Sequence, residues 1–224
     1  MAHISMHDYR TTSTFLRHIG PVLVPAWHIP GSARRVQYAP AVFDPQWVAR
    51  LPLPIDAPPV KGQSVALAAS SGSDNDRLER PTTRALDAAY RQRPRTHIFE
   101  SIEATGEGWT ALTTFHLSSI VQRRIICALY HSTAQDDTLG PHDDNWWGVI
   151  VQMRGNKQWR IWDKDGHEPM QLTLTSGDVL LLPAGVTHDV ATPVTSTHLV
   201  FAVTDQPITT AQPEHSPMWR NQPA

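Results

Sequence analysis

Gly140-Pro141-His142-Asp143-Asp144 and Gly177-Asp178-Val179-Leu180-Leu181-Leu182-Pro183-Ala184-Gly185-Val186-Thr187-His188 are the two segments whose reading decides the fold. In an extended chain residues i and i+2 point to one side, so His142 and Asp144 can address one target while Asp143 looks away. Val179 to Leu182 is a short apolar strand that ends at Pro183 and Gly185, with His188 just beyond. Two histidines and one carboxylate, with further coordination positions left open, are the ligand set that suits a catalytic Fe(II). His142, Asp144 and His188 are therefore the candidate metal-binding and catalytic residues.

The chain between and around these segments reads as β. Asn145 to Met153 and Lys157 to Trp162 are expected to form a hairpin around Arg154-Gly155-Asn156. Gln171 to Thr175 and Asp178 to Leu182 read as a second hairpin, and Ser196 to Thr204 as the last strand. Thr110 to Leu117 and Arg123 to Tyr130, rich in β-branched and aromatic residues, are expected strands before the first segment. On the second strand of the first hairpin, Lys157, Trp159 and Ile161 share a face. A lysine among apolar residues is costly to bury without a partner, so an inward Lys157 calls for a bound anion. Of the pair Trp146-Trp147, alternation predicts that one lines a pocket and the other braces the barrel.

The two segments resemble the first and second motifs of the cupin superfamily, with Asp144 in place of the first motif's second histidine. In that pattern Gly and Pro turn the chain and deliver the histidine to the barrel mouth; the cupin pattern has Asn where this chain has Thr192. A closer resemblance is to the JmjC-type 2-oxoglutarate oxygenases, particularly their ribosomal-oxygenase branch. It rests on His142-Asp143-Asp144-Asn145, on Gln152, Gly155, Lys157, Trp159 and Arg160, on Ser176 to Gly185 with His188, and on Ser196-Thr197-His198-Leu199. It implies a double-stranded β-helix and the cofactors Fe(II), 2-oxoglutarate as cosubstrate, and O2. By the same resemblance Lys157 pairs with the distal carboxylate of 2-oxoglutarate, Ser196 or Thr197 assists it, and Tyr130 faces the cosubstrate. His198 is expected beside the site without being a ligand.

Composition sets the outer limits. A chain of 224 residues with 40% apolar content and eight Trp can build one substantial core. A formal charge of −2 gives no global basic field, so no nucleic-acid partner is expected. The single cysteine, Cys127 in Ile125-Ile126-Cys127-Ala128-Leu129, fits strand packing in a reducing compartment, and cytoplasmic is the expected location. No apolar run reaches the ~18 residues of a membrane span, so no membrane partner is expected. From Gly20 to Pro59 nine prolines argue against regular helices and predict an extended wrap over the barrel. Ala68 to Asp76 reads as a loop, and Thr83 to Gln92 as a helix capped by Thr82 or Thr83. The six arginines of the 77–95 region, interleaved with acids, read as a solvated mixed-charge surface.

The expectation is a mainly β double-stranded β-helix of cupin/jelly-roll type, with a proline-rich amino-terminal wrap and one or two short helices. Residues 1–95 form the wrap and short helix, 96–205 the barrel and 206–224 a tail. The expected activity is that of a 2-oxoglutarate-dependent non-haem iron dioxygenase hydroxylating a small molecule, an amino acid, a peptide or a protein side chain. The ribosomal-oxygenase branch usually continues into dimerisation and winged-helix regions that this length leaves out, which favours the smaller substrates; a homodimer stays open. The rival readings are a metal-dependent cupin isomerase or dioxygenase that does not use 2-oxoglutarate, and a non-catalytic ligand-binding cupin. The polar loop His131 to Leu139 is expected to border the metal, with Asp136 and Asp137 either an acidic rim for a cationic substrate or merely solvated turn residues.

Overall fold

The computed structural model describes residues 4–29, 35–57, 63–68, 76–79, 81–106, 108–162 and 168–204. The expected loop at Ala68–Asp76 and the tail of residues 206–224 lie mostly or wholly outside them. Among the described residues four α-helices occur, α1 (Met6–His28), α2 (Pro45–Ala49), α3 (Thr83–Gln92) and α4 (Gly108–Val121). The strands are β1 (Gln37–Ala39), β2 (Ser64–Leu67), β3 (Asp76–Glu79), β4 (His97–Glu100), β5 (Ile125–Ser132), β6 (Trp147–Arg154), β7 (Asn156–Ile161), β8 (Met170–Thr175), β9 (Val179–Leu182), β10 (His188–Ala191) and β11 (Ser196–Val203).

The strands form two facing sheets, an eight-stranded one in the order β1-β9-β6-β11-β5-β4-β2-β3 and a three-stranded one in the order β10-β7-β8. Every pairing among the named strands is antiparallel. This is the double-stranded β-helix of the cupin/JmjC fold. Neither expected hairpin forms, although its strands exist. β6 pairs with β9 and β11 while β7 pairs with β8 and β10, so the chain at Arg154-Gly155-Asn156 crosses from one sheet to the other. Gly155 makes that corner possible: its φ is +65°, and a Cβ there would lie 2.0 Å from the Thr195 carbonyl oxygen. β8 and β9 are divided between the sheets in the same way. Loop length and turn chemistry look alike for a hairpin and for a barrel corner, and only the partner strands decide between them.

The large sheet is covered on both faces. On its outer face Phe15, Ile19 and Leu23 of α1 pack with Trp109 and Leu117 of α4 against Val149, Val151, Leu181, Leu199 and Phe201. Each such side chain, fully buried, contributes roughly 1.5–3 kcal/mol. The inner cluster, between the sheets, holds Trp146, Ile150, Trp159, Ile161, Leu174, Leu180, Leu182 and Val200. Cys127 is fully buried under the helices, as its strand setting predicts.

Two stretches differ from expectation. Residues 6–28 form a 23-residue helix through Pro21 and Pro25. The helix starts on a capping box, with Asp8 N donating to Ser5 Oγ and Ser5 N donating to Asp8 Oδ2. Its prolines sit four apart on the exposed face, where solvent can hydrate the carbonyls they leave unpaired, while Ile19, Leu23 and Ala26 hold the opposite face on the sheet. Trp27 Nε1 then donates to the Val121 carbonyl, fastening the helix end to α4. The expected strand Thr110–Leu117 lies inside α4. Trp109, Thr113, Leu117 and Val121 recur every four residues as its buried stripe, and Thr114 Oγ1 donates to its own helix's Thr110 carbonyl. Packing overrides the weak β preference of threonine there. α3, by contrast, has the expected bounds, with Thr82 Oγ1 capping Ala85 N.

Candidate active site

β10 begins at His188, which pairs with Ile161 of β7 on one side and is bridged to His142 on the other. His142 N donates to His188 O at 2.9 Å and His188 N to His142 O at 2.8 Å, which brings the two imidazole centroids to 4.3 Å. Gly185 N donates to the Asp144 carbonyl at 2.7 Å, so the Pro183–Gly185 turn holds the carboxylate's backbone as well. One ligand atom each from His142, Asp144 and His188 falls within 4.8 Å of the others. Asp144 Oδ2 lies 3.6 Å from His188 Nε2.

Each histidine uses Nδ1 the same way. His142 Nδ1 lies 2.8 Å from the Gly140 carbonyl and His188 Nδ1 3.0 Å from that of Val186. A carbonyl can only accept, so each contact assigns a proton to Nδ1 and makes Nε2 the ring atom available to a metal, that of His188 facing Asp144. Burial, reinforced by His142 nearby, pushes His188 down to about 4, which keeps its imidazole neutral. Burial also holds the Asp144 carboxyl above its ordinary value, with His142 opposing the shift. Two imidazoles and a carboxylate form a donor set matched to a divalent transition metal, and proton loss from Asp144 favours its binding.

A cavity of about 140 Å³ runs inward from this cluster. Lys157 closes its other end, 4% exposed, with Nζ donating to Ser132 Oγ at 2.9 Å. Ser132 Oγ is in turn 2.9 Å from Thr96 Oγ1, and Thr96 lines the cavity too. Burial pushes the Lys157 ammonium down to about 7, against an upward pull from Asp136. Between the ends, Trp159 stacks over the His188 ring at 5.6 Å and 25°, and Tyr130 stacks on His198 at 4.9 Å and 10°. Burial raises the Tyr130 phenol well above its ordinary value and drops His198 well below its own, so both are neutral. Trp146 lines the cavity, while Trp147 turns outward and meets Trp27 edge-on at 5.2 Å.

His142, Asp144, His188, Lys157 and Tyr130 thus share one cavity. Ser196 and Thr197 are buried beside its closed end but face other groups. Ser196 Oγ accepts from Gln152 Nε2 at 2.7 Å, and Thr197 Oγ1 pairs with His131 Nδ1 at 2.9 Å on the far side of the sheet. The hydroxyl on Lys157 belongs instead to Ser132, which sequence reasoning passed over. Its signal was available: Ser132 stands two residues after Tyr130 on one strand, so both face inward. His198 lies directly across from Tyr130 in the β5–β11 ladder, close to the triad without belonging to it. Neither rim acid is free: Asp137 pairs with Arg93 Nε at 2.7 Å, and Asp136 accepts from Tyr90 and Thr133.

Residues 107–211 match the family model described as the JmjC domain. The match takes in the strands β5 to β11, so this part of the barrel is similar to a JmjC domain. Among solved structures, that of YcfD, a ribosomal oxygenase from Escherichia coli, aligns with 89% of this chain and 61% of its own at 16% identity and a TM-score of 0.54. The same protein in complex with cobalt and 2-oxoglutarate aligns at 14% identity and TM-score 0.52, covering 86% of this chain and 59% of that one. Its complex with cobalt and succinic acid aligns with 79% and 49% of the two chains, again at 14% identity and TM-score 0.52. This chain therefore spans about half to three-fifths of the length of those solved chains, and the likeness is one of fold. No curated protein matches it. Among the described residues no helix is long and apolar enough to cross a membrane.

Proposed function

We propose that this chain is an Fe(II)- and 2-oxoglutarate-dependent oxygenase, with His142, Asp144 and His188 as the metal ligands and Lys157 as the partner of the cosubstrate's distal carboxylate. The observation that carries this reading is the pairing of two features in one cavity: a three-donor cluster at the mouth and a buried ammonium, held by a neutral hydroxyl, at the closed end. An ammonium out of water calls for an anion, and a dicarboxylic keto acid offers one for each end. The complexes of YcfD with cobalt, 2-oxoglutarate and succinic acid support it by likeness of fold. When bound, iron supplies the redox chemistry by which O2 and 2-oxoglutarate give succinate and carbon dioxide while one oxygen atom enters a substrate C–H bond.

The chain's own residues bind, orient and exclude water. The Nδ1 contacts to Gly140 and Val186 aim both imidazoles before metal arrives, so little ordering is left to do on binding. Trp159 fixes the His188 ring plane. Ile150, Leu182 and Val200 make the cavity wall apolar, which strengthens each charge contact made inside it. The Tyr130 phenol, kept protonated by burial, can donate to a carboxylate oxygen lying between triad and lysine. Leu139, Trp146, Val190 and Thr192 border the mouth, where a small molecule or a peptide side chain would present its C–H bond. With Asp136 and Asp137 both engaged, the acidic rim no longer argues for a cationic substrate.

Anaerobically prepared protein given Fe(II), ascorbate, O2 and 2-oxoglutarate should form succinate, and Lys157→Ala should raise the 2-oxoglutarate requirement strongly. Metal binding without any 2-oxoglutarate consumption, by the wild-type chain under those conditions, would transfer the site to cosubstrate-independent cupin chemistry.

A further inference from the structure

The arginine-rich segment that the sequence leaves without a task ends in α3, and α3 grips the loop bordering the cavity. Tyr90 OH donates to Asp136 Oδ1 at 2.9 Å. Thr133 Oγ1 donates to the same oxygen at 2.8 Å and Thr133 N to Asp136 Oδ2 at 3.1 Å. Just beyond the helix, Arg93 Nε meets Asp137 Oδ2 at 2.7 Å, and Asp137 N donates to the Pro94 carbonyl at 3.2 Å. A loop with few apolar residues is thereby held by five polar contacts. Its Asp136 lines the same cavity as Lys157.

We propose that Asp136 is a positioning residue for Lys157: a resident carboxylate, clamped by Tyr90 and Thr133, that holds the ammonium at the closed end of the cavity until an incoming carboxylate binds. This rests on the reading of Lys157 as the cosubstrate's partner. The carboxylate oxygens are occupied by Tyr90 and Thr133, so Asp136 is poorly placed to grip a substrate, but its charge still acts through space. Asp136 is the charged group that acts on Lys157 against its burial, and the same carboxylate acts on His97 of β4, which burial holds toward the neutral imidazole. Tyr130 of β5 stays a neutral phenol. His198 of β11 and His131 on the reverse of β5 are both shifted by burial toward the neutral imidazole. Ser132 and Thr96 carry no charge. Burial pulls the lysine toward its neutral form and Asp136 pulls it back.

The test is a titration of 2-oxoglutarate into the full-length Mn(II)-loaded chain, followed by the fluorescence of Trp146 and Trp159, which line the cavity. Kd is measured from pH 6 to pH 8 for wild type and Asp136→Asn. With the carboxylate present the lysine titrates at about 7. The ammonium that receives the carboxylate is fully present at low pH and is lost as pH rises through the lysine's value, so Asp136, by raising that value, matters least at pH 6 and most at pH 8. A further fall of one unit in the variant makes the Kd ratio, variant over wild type, grow by about five-fold between pH 6 and pH 8. Proton competition at the metal ligands affects both proteins alike and cancels in the ratio. Tyr90→Phe should move the ratio in the same direction by less, because Thr133 still holds the carboxylate. In a Lys157→Met background Asp136→Asn should give a ratio that does not change with pH. A pH-independent ratio in the wild-type background, or a pH-dependent one without the lysine, overturns the proposal. If Lys157→Met alone binds 2-oxoglutarate like wild type, it is the cosubstrate reading that falls.

Discussion

The triad end of the cavity and its lysine end are assembled in opposite ways. His142, Asp144 and His188 come from two short segments joined by one reciprocal pair of backbone hydrogen bonds, and their rings are set by carbonyls two residues upstream. Most of that geometry is local. Lys157 depends on β7 for its own position, on β5 for Ser132, on the residue before β4 for Thr96, and on the α3-tethered loop for Asp136. Those parts are up to about sixty residues apart in sequence and meet only when the sheets close. A site can thus pair a sturdy, locally encoded end with one that exists only as long as the whole barrel does.

The largest expected effect strikes the triad end. His142→Ala or His188→Ala should cut 2-oxoglutarate turnover by about 10²-fold or more, because each removes one of three donors. Circular dichroism and the unfolding midpoint should stay close to wild type, since the triad lies at the mouth rather than in either apolar cluster; a large drop in midpoint would show that the two ends are not independent. Next comes Lys157→Ala. Breaking a buried charge contact typically costs about 3–5 kcal/mol, so the half-saturating 2-oxoglutarate concentration should rise by about 10²-fold or more while Mn(II) affinity is unchanged.

Gly155→Ala probes the corner between the sheets, on which the lysine end, two residues away, depends more directly than the triad end, which meets β7 at Trp159 and Ile161. With φ at +65° and a carbonyl 2.0 Å from the new Cβ, the strand crossing cannot form without displacement. A loss of stability of about 2 kcal/mol or more is expected, read by chemical denaturation, with 2-oxoglutarate affinity falling more than metal affinity. pH separates the ends again. The raised Asp144 carboxyl gives the metal a proton to compete with, so Mn(II) affinity should weaken on going from pH 8 to pH 6.

The smallest effect lies outside the cavity. Glu103, beneath β5, accepts from Cys127 N and is pushed by burial to about 7. Its folded value is above the unfolded one, so its contribution is complete below about pH 4.5 and is lost as pH rises through 7. Glu103→Gln should therefore raise the melting temperature by a few degrees at pH 8 and by nothing at pH 5. Turnover at either pH should not change.

The amino-acid sequence by itself determined the strand-rich barrel, the triad, the inward face of β7 and the bounds of α3. Each of these is written in a period or spacing that survives without knowledge of partners: i and i+2 along a strand, a cap before an amphipathic turn. It also placed Lys157 on the inward, apolar face of its strand, where burial is costly for an ammonium and draws its pKa down. Tertiary structure alone decided which strands pair. Gly155 serves a corner as well as a hairpin, and the choice was made by β9 and β11 on one side and β8 and β10 on the other. It also decided that prolines would ride the open face of a long helix and threonines the buried face of another, because packing against the sheet outweighs local preferences of under about 1 kcal/mol for a threonine and about 3 kcal/mol for a proline. And it decided which hydroxyl meets the lysine, since Ser132, Ser196 and Thr197 sit side by side in one ladder and only the pleat of the closed barrel turns Ser132 toward Nζ.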